Sequence, residues 1–564
     1  MPDLSTSAPK TSNDKFSNPR STLLPPFLRI FGAFRDYDRG NRLYASGRYE
    51  AAVDYYGRAV QTKPDWARAW LNLGKAYKQL GQYAETVACC DRAIAIKPEE
   101  YWAWMLRGTV LLSLQNYSEA IAGFDQAILL NGEKHEAWYQ RGRALEELQQ
   151  WESSASCYKR ATEIHPNLPA MWCRLGNVLL QAQRNAEAVA AYERALKLVP
   201  TNGEAWLNRG LALMNTERYP EAVTSYDRAI QIQPENCLAW FNRGIASAKL
   251  HRYAEAVRAY DRVIDLQPND YEAWFYKGMA LKHQQRYAAI ACFDKAIQIN
   301  QFYPEVWIGR GQTLSESEDY ESAIAAFDKA IQINPNFPEA WLGRGIALAG
   351  LEQYKDAIIA YSNALQIQAN FLEAWNLRGE ALEQLQQYEE AIVCYDKVIS
   401  LSSEAQISSK VSLQQGEALE KLERYEEAVG AYNQVIHIMP DNFEAWLKRG
   451  NALEKLQQYE PSLLAYDRAI TIWSDNYEAW MHRAILLAKM ERYAEAVVAC
   501  DQVIQLKADN WEAWAHRGDV LQKLQRNQDA ISSYGVALEI KPDYYEALMS
   551  REELRLKDTM PGKW

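Results

Sequence analysis

Paired cysteines are missing from this sequence. It has eight cysteines and no CxxC spacing; Cys89 and Cys90 are adjacent and the rest are far apart. That argues against a disulfide framework or a thiolate zinc site and fits a reducing, cytoplasmic compartment. Long apolar runs are missing too. No stretch reaches about 18 apolar residues, so no membrane span is expected, and the N-terminus lacks the continuous apolar core of a signal peptide. Basic charge is in deficit: 62 Lys and Arg stand against 73 Asp and Glu, a formal charge of −11. A phosphate backbone needs a basic footprint, so no nucleic-acid partner is expected. Walker A, HExxH, GxSxG and kinase signatures are all missing.

What the sequence does have is a 34-residue period. Glycines fall at Gly40, Gly74, Gly108, Gly142, Gly176, Gly210, Gly244 and Gly278, then at Gly311, Gly345 and Gly379 after a one-residue deletion. A three-residue insertion precedes Gly416 and Gly450; Ala484 replaces the next glycine, and Gly518 closes the series. This makes fifteen units between Ala33 and Tyr544, and in thirteen a Trp stands four residues before the glycine. Thirteen copies of one residue cannot be thirteen independent sites, so the Trp is framework.

The unit that starts at Gly203 shows the logic. Trp206, Gly210 and Leu213 share one face of a first helix at i, i+4, i+7 spacing. The turn-like Thr216–Pro220 follows, then Ala222, Val223, Tyr226, Ala229 and Ile230 at helical spacing, then Pro234 as a stop. Gly210 and Ala222 are small enough for two helices to approach closely. The order Trp206, Gly210, Leu213, Ala222, Tyr226, Ala229, Pro234 resembles the tetratricopeptide (TPR) repeat, and its Trp-rich style resembles bacterial, including cyanobacterial, members. The resemblance covers residues 33–544.

It implies an all-α protein: an α-solenoid, a right-handed superhelix of about fifteen helix-turn-helix units whose hydrophobic faces are buried only by stacking. Residues 1–32 would be a disordered tail ending in an apolar capping segment, 23–34, for which weak peripheral membrane contact is the alternative. Repeats 1–11 would span 33–408 and repeats 12–15 would span 409–544, with an irregular, hinge-like junction near 400–412. Residues 545–564 would hold a capping helix with a polar outer side. Nothing outside the repeats is long enough for a catalytic domain, so no enzyme is expected.

Several smaller expectations follow. The Arg or Lys before the glycine (Arg107, Arg209, Arg243, Lys277, Arg310, Arg378, Arg449, Arg483) has an acid seventeen or eighteen residues later, from Asp125 and Asp227 to Asp467 and Asp501. This predicts an ion pair within each repeat, with Arg141 opposite Lys159 as an exception. The cysteines read as small packing residues. His482 and His516 share one repeat position but lack a third ligand, so they read as a solvated pair and not as a metal site. "GRGIALAG", Gly343 to Gly350, has no strand before it, and Gly345 is the repeat glycine. No cofactor and no metal are expected.

Function should lie where the repeats vary. If the fourth, eighth and eleventh positions pack inward, the fifth, ninth and twelfth form a neighbouring stripe. By resemblance to the family, that stripe lines a concave groove. The second repeat contributes Leu71, Lys75 and Lys78. The sixth to tenth contribute apolar residues: Leu207, Leu211, Met214, Phe241, Ile245, Phe275, Met279, Ile308, Leu342 and Ile346. Asn208 and Asn242, beside them, could form a short ladder for a peptide backbone. The eleventh to thirteenth turn acidic: Glu380, Glu383, Glu417, Glu420 and Glu454. Glu417–Lys421 and Glu420–Arg424 also have the spacing of helical ion pairs. The expectation is a protein-interaction scaffold that binds a peptide or protein segment, its partner's identity not given. The weighed alternatives are an RNA-binding helical repeat and a self-assembling solenoid. The family's carboxylate clamp needs Lys at the fifth position, which never occurs here; Asn41, Asn177 and Asn451 match only its second half.

Overall fold

The computed structural model describes residues 26–282 and 284–559; the tail expected to be disordered lies almost wholly outside them. Among the described residues there are thirty-one helices and no strand. The chain divides into two compact units between Asn269 and Asp270. The first holds seven helix pairs, from Pro26–Ala45 with Tyr49–Thr62 to Cys237–Lys249 with Tyr253–Leu266. The second holds eight, from Tyr271–Leu281 with Arg286–Ile299 to Trp511–Lys523 with Asn527–Ile540, followed by Tyr545–Thr559. These are the fifteen repeats of the sequence. Within each unit every helix packs on its neighbours in sequence, the arrangement of an α-solenoid.

The sixth repeat shows why the chain folds this way. Its first helix, Gly203–Met214, starts at Asn202, whose side chain accepts the Ala205 amide at 3.1 Å and satisfies one of the free donors of the first turn. It ends when Glu217 takes a left-handed φ of 59°. The Arg218 amide then reaches back to the Leu213 carbonyl at 2.9 Å, closing the helix end as a glycine usually does. The second helix, Tyr219–Ile232, buries Ala222, Tyr226 and Ala229 against the first. Gly210 is required there, because a Cβ would meet the Tyr226 ring 2.5 Å from Cε1.

The Trp is a latch as well as a filler. Trp206 Nε1 donates to the carbonyl of Pro200, six residues back, at 2.8 Å. The same bond reaches Gly132 from Trp138, Gln301 from Trp307, Ala369 from Trp375, Ser474 from Trp480 and Ala508 from Trp514. Proline at that position is dispensable because the bond uses the backbone carbonyl, which any residue supplies.

The Arg–Asp pairs lie between repeats and not within them, although Arg107 also reaches Glu119 of its own repeat at 3.2 Å. Arg243 donates to Asp227 at 2.6 Å, Arg310 to Asp294 at 2.8 Å and Arg483 to Asp467 at 2.7 Å. Eighteen residues on from one Arg is sixteen back from the next in a 34-residue period, so the residue types were right and the partner was not. A second helix packs on the first helices of its own repeat and of the next, and its Asp faces the next. Within the repeat the Arg meets a small residue: Arg209 donates to Ser225 at 2.6 Å while it pairs with Glu193 of the preceding repeat at 2.8 Å. Arg141 is no exception, since it pairs with Asp125 at 2.6 Å. Arg344 and Arg517, overlooked in the sequence, join the series through Asp328 and Asp501.

The irregular segments resolve differently. The three-residue insertion lengthens one first helix to Ala405–Lys421, preceded by the short link 402–404. Gln415 takes the Arg position there and donates to Asp396 at 2.6 Å, so the bridge across that junction persists. Residues 26–34 extend the first helix of repeat 1; Ile30 and Phe31 are exposed, and the Phe34 ring lies 4.6 Å from that of Trp66. The last helix buries Ala547 and Leu554 but exposes Tyr545, Met549 and Leu556, so its outer side is mixed and not purely polar. Six of the eight cysteines are buried, with Cys173 and Cys237 partly exposed, and all are free thiols. His482 and His516 are not solvated: His482 stacks on Tyr466 at 5.6 Å, and burial holds both imidazoles below their usual range.

Candidate protein-binding surface

The stripe at the fifth, ninth and twelfth positions is shaped by two sets of hydrogen bonds. The first comes from the buried tyrosine of the second helix. Tyr56 donates to Asn41 at 2.8 Å, Tyr192 to Asn177 at 2.7 Å and Tyr466 to Asn451 at 2.8 Å. Tyr158 reaches the twelfth position instead, donating to Glu146 at 2.7 Å. The second set runs between successive first helices, from the sixth position back to the ninth. Asn72 donates to Asn41 at 3.1 Å, Asn208 to Asn177 at 3.2 Å and Gln414 to Glu380 at 3.0 Å, while Lys448 pairs with Glu417 at 2.7 Å. The sequence carries this signal as complementary residue types 31 apart, or 34 across the three-residue insertion, and it was missed. Asn208 is therefore committed to a neighbour, whereas Asn242 keeps its amide uncommitted.

In the first unit the apolar stretch is half-buried. Leu207 packs beside Ala229, Ile230 and Ala239, and Met214 lies against the main core of that unit. Phe241 sits edge-on to Tyr260 at 5.9 Å, Ile245 is half-buried, and Leu211 is exposed. With Leu211 and Met214 at the two positions a tyrosine usually addresses, the buried Tyr226 hydroxyl has no hydrogen-bond partner. Leu71 is fully core, and burial pulls the Lys75 ammonium down as it donates to Asn72 at 3.4 Å.

In the second unit the stretch splits. Phe275 belongs to a ring cluster with Tyr276, Phe293 and Tyr303, centroids 5.2 to 6.0 Å apart. Met279 and Ile346 are exposed, but Ile308 and Leu342 are 8% and 7% exposed and belong to the core. The glycine that follows each explains this. A Cβ on Gly309 would stand 3.1 Å from the Phe293 ring, and one on Gly343 would overlap Phe327. Without those side chains the preceding repeat's phenylalanine closes in and the fifth position is covered.

The acidic stretch is not a row of solvated side chains. Glu380 accepts from Asn376 at 2.8 Å as well as from Gln414. Glu454 accepts from Tyr466 at 3.0 Å and pairs with Lys489 at 2.5 Å. The expected pairs four residues apart do not form: Glu417 pairs with Lys448, and Arg424 with Glu427 at 2.5 Å. Glu383 and Glu420 are half-buried, and burial, with Glu417 beside each, pushes both carboxyls above the usual range, although Lys448 draws Glu420 partly back. Among the described residues no group of three or more His, Cys, Asp or Glu could hold a metal ion, and no helix is long and apolar enough to cross a membrane.

A solenoid with a variable stripe on its first helices is a helical-repeat scaffold. The family model Tetratricopeptide repeat matches residues 105–169, 173–236, 241–304, 447–510 and 481–545, and related TPR models match 40–81, 67–100, 311–352, 372–404 and 416–457. The chain belongs to the tetratricopeptide repeat family, whose general role is protein interaction. No curated protein matches it. Among solved structures it is similar to YrrB, described as a TPR protein with an unusual peptide-binding site, at 23% identity over 33% of this chain and 95% of that one, TM-score 0.31. It is similar to yeast Tom70 at 14% identity over 69% and 96%, TM-score 0.36, and to Naa15/Naa10 bound to HypK-THB at 12% over 94% and 98%, TM-score 0.36.

Proposed function

We propose that this protein is a non-enzymatic cytoplasmic scaffold that holds a segment of another protein along the first-helix stripe. The observation that carries the reading is the state of the stripe's side chains. Many of its polar members are committed to neighbouring repeats, while Leu211 stays exposed and Leu207, Phe241 and Ile245 half-buried in the first unit, and Met279 and Ile346 stay exposed and Phe275 half-buried in the second. Apolar surface left open beside a polar framework marks an interaction site. The net charge of −11 favours a protein ligand over RNA.

The test replaces Leu211, Phe241 and Ile245 with Ser and compares proteins captured from lysate by the variant and the wild type. Loss of a defined set of partners, with helix content unchanged by circular dichroism, supports the reading. An unchanged set from a folded variant ends it.

A second reading, self-assembly through the ends, draws on the exposed Ile30, Phe31 and Phe34 at one end and Tyr545, Met549 and Leu556 at the other. Light scattering across a concentration range decides it: a mass fixed at 64.6 kDa eliminates assembly.

A further inference from the structure

The helix that begins the series, Pro26–Ala45, differs from every later first helix on one face. In later repeats the third and tenth positions pack on the preceding second helix and are buried, as Ala69 and Ala76 or Ala205 and Ala212 are. In repeat 1 those positions hold Arg35 and Arg42, both exposed, with exposed Arg39 between them at the seventh. Elsewhere the arginine of the seventh position pairs with an acid of the preceding repeat, as Arg243 does with Asp227. Arg39 lies instead over the ring of Tyr55 at 5.0 Å, and shares that ring with Arg58 at 5.2 Å.

The same helix exposes Ile30, Phe31 and Phe34. At about 100° per residue these three and the three arginines fall within one half of its surface. The surroundings are basic as well. Residues 30–81 carry nine Lys and Arg against five Asp and Glu, in a chain whose net charge is −11. Among the described residues none of those nine forms an ion pair, although Asp36 and Asp38 stand beside the arginines in sequence.

A solenoid end needs only a polar face for solubility, which does not account for Ile30 and Phe31. A packed helix does not account for the face either. Arg35 and Arg42 stand where such a helix meets small residues, so it would be overpacked and would strip three cations of water. The last helix, Tyr545–Thr559, offers no matching acidic surface, because its Glu552 and Glu553 are already paired with Arg555 and Lys557. A lipid surface suits both residue types. Its headgroups carry the phosphates and carboxylates that a guanidinium binds, and its acyl boundary takes apolar side chains without a fixed shape to match.

We propose that this face of the first helix docks on a bilayer rich in anionic lipid, with Ile30 and Phe31 at the acyl boundary and Arg35, Arg39 and Arg42 among the headgroups. Arginines beside Phe and Ile on one helix face are the composition of an interfacial amphipathic helix. The inference does not depend on the groove reading; it names the surface on which the scaffold is held.

The experiment sediments the full chain with sucrose-loaded vesicles of phosphatidylcholine alone, or of phosphatidylcholine and phosphatidylserine in equal amounts. The wild type should bind the phosphatidylserine vesicles about tenfold tighter. Salt at about 1 M, which screens charges beyond about 3 Å, should remove the difference. Arg35→Gln with Arg39→Gln and Arg42→Gln should weaken binding to phosphatidylserine vesicles by about tenfold. Ile30→Ser with Phe31→Ser should weaken it by about the same factor. Arg194→Gln with Arg228→Gln and Arg258→Gln removes as many exposed arginines from later second helices and should leave the preference intact. Should the triple variant of repeat 1 misfold by circular dichroism, Arg35→Gln with Arg42→Gln, which keeps the Tyr55 contact, is read the same way. Equal binding to the two compositions, or binding to neither, overturns the proposal. So does a preference that survives the loss of the repeat 1 arginines. Pelleting of the wild type without vesicles would assign the face to contacts between copies of the chain, and overturns it as well.

Discussion

The backbone of Gly210 lies against the ring of Tyr226 so closely that a Cβ would stand 2.5 Å from Cε1. The fourteenth repeat shows the relationship in reverse. There Ala484 replaces the glycine, and the residue sixteen positions on is Cys500 in place of an aromatic. The second repeat pairs Gly74 with Cys90, and a Cβ on Gly74 finds its nearest neighbour, Cys89 Cβ, at 3.2 Å. Overpacking a tight helix contact costs about 1–3 kcal/mol, whereas Gly to Ala in an open helix gains about 0.8–1.0 kcal/mol of propensity. Gly210→Ala should therefore destabilise the sixth repeat, and Gly74→Ala should be neutral or stabilising. Hydrogen exchange of the amides in each repeat measures both; equal effects would show that the aromatic does not set the requirement.

The placement of the ion pairs makes a separate prediction. Arg243 and Asp227 are 2.6 Å apart, with side-chain exposures of 18% and 43%. A partly exposed pair of this kind contributes up to about 1 kcal/mol. A double-mutant cycle on Arg243→Ala and Asp227→Ala should show coupling of about 0.5–1 kcal/mol. The cycle on Arg209→Ala and Asp227→Ala, the pair within one repeat, should show none. The opposite ranking would restore the pairing first read from the sequence.

That contrast shows where sequence reading reached its limit. The framework was legible because Trp206, Gly210 and Tyr226 recur thirty-four residues apart and their sizes have one packing solution. The pairing of Arg with Asp was legible as residue types only, since a strict period makes the acid eighteen residues on from one Arg and sixteen back from the next indistinguishable. Neighbour geometry breaks the tie. The burial of Ile308 and Leu342 was not visible in either residue; it follows from Gly309 and Gly343 one place along, which admit an aromatic from the preceding repeat. The links from Asn72 to Asn41 and from Asn208 to Asn177 could have been found by comparing residue types across the repeat boundary at a spacing other than the period itself.

The turn inside each repeat predicts a route to greater stability. Glu217 and Glu423 hold left-handed φ values of 59° and 58°, where Gly47 and Gly81 hold the same turn at 76° and 75°. A side chain in this conformation costs roughly 1–2 kcal/mol, and the extra freedom glycine has when unfolded offsets part of the gain. Glu217→Gly and Glu423→Gly should each stabilise their repeat by about 0.5–1 kcal/mol, and Gly81→Gln should do the reverse. Urea unfolding followed by circular dichroism provides the readout, with a raised midpoint expected for the two glycine variants. A lowered midpoint would show that Glu217 and Glu423 make compensating contacts.

Thiol chemistry supplies the last prediction. Cys89, Cys90, Cys157, Cys292, Cys394 and Cys500 are buried, while Cys173 and Cys237 are partly exposed. Burial pushes the thiols of Cys89 and Cys500 up to about 12 and that of Cys394 up to about 11. Only a thiolate attacks a disulfide reagent, so these groups are shielded and hold almost no reactive form near neutral pH. At Cys157 burial also raises the thiol, although the Arg141 guanidinium, 2.9 Å from the sulfur, draws it partly back; its shielding therefore rests on burial. Titration of the native protein with an aromatic disulfide should count two thiols. Cys237 should react first, and Cys173 more slowly because burial raises its pKa. All eight cysteines should react in denaturant. Reaction of Cys90 or Cys500 in the native state would mean that their repeats open, and the fourteenth repeat, where Cys500 lies beneath Ala484, is the place to look for it.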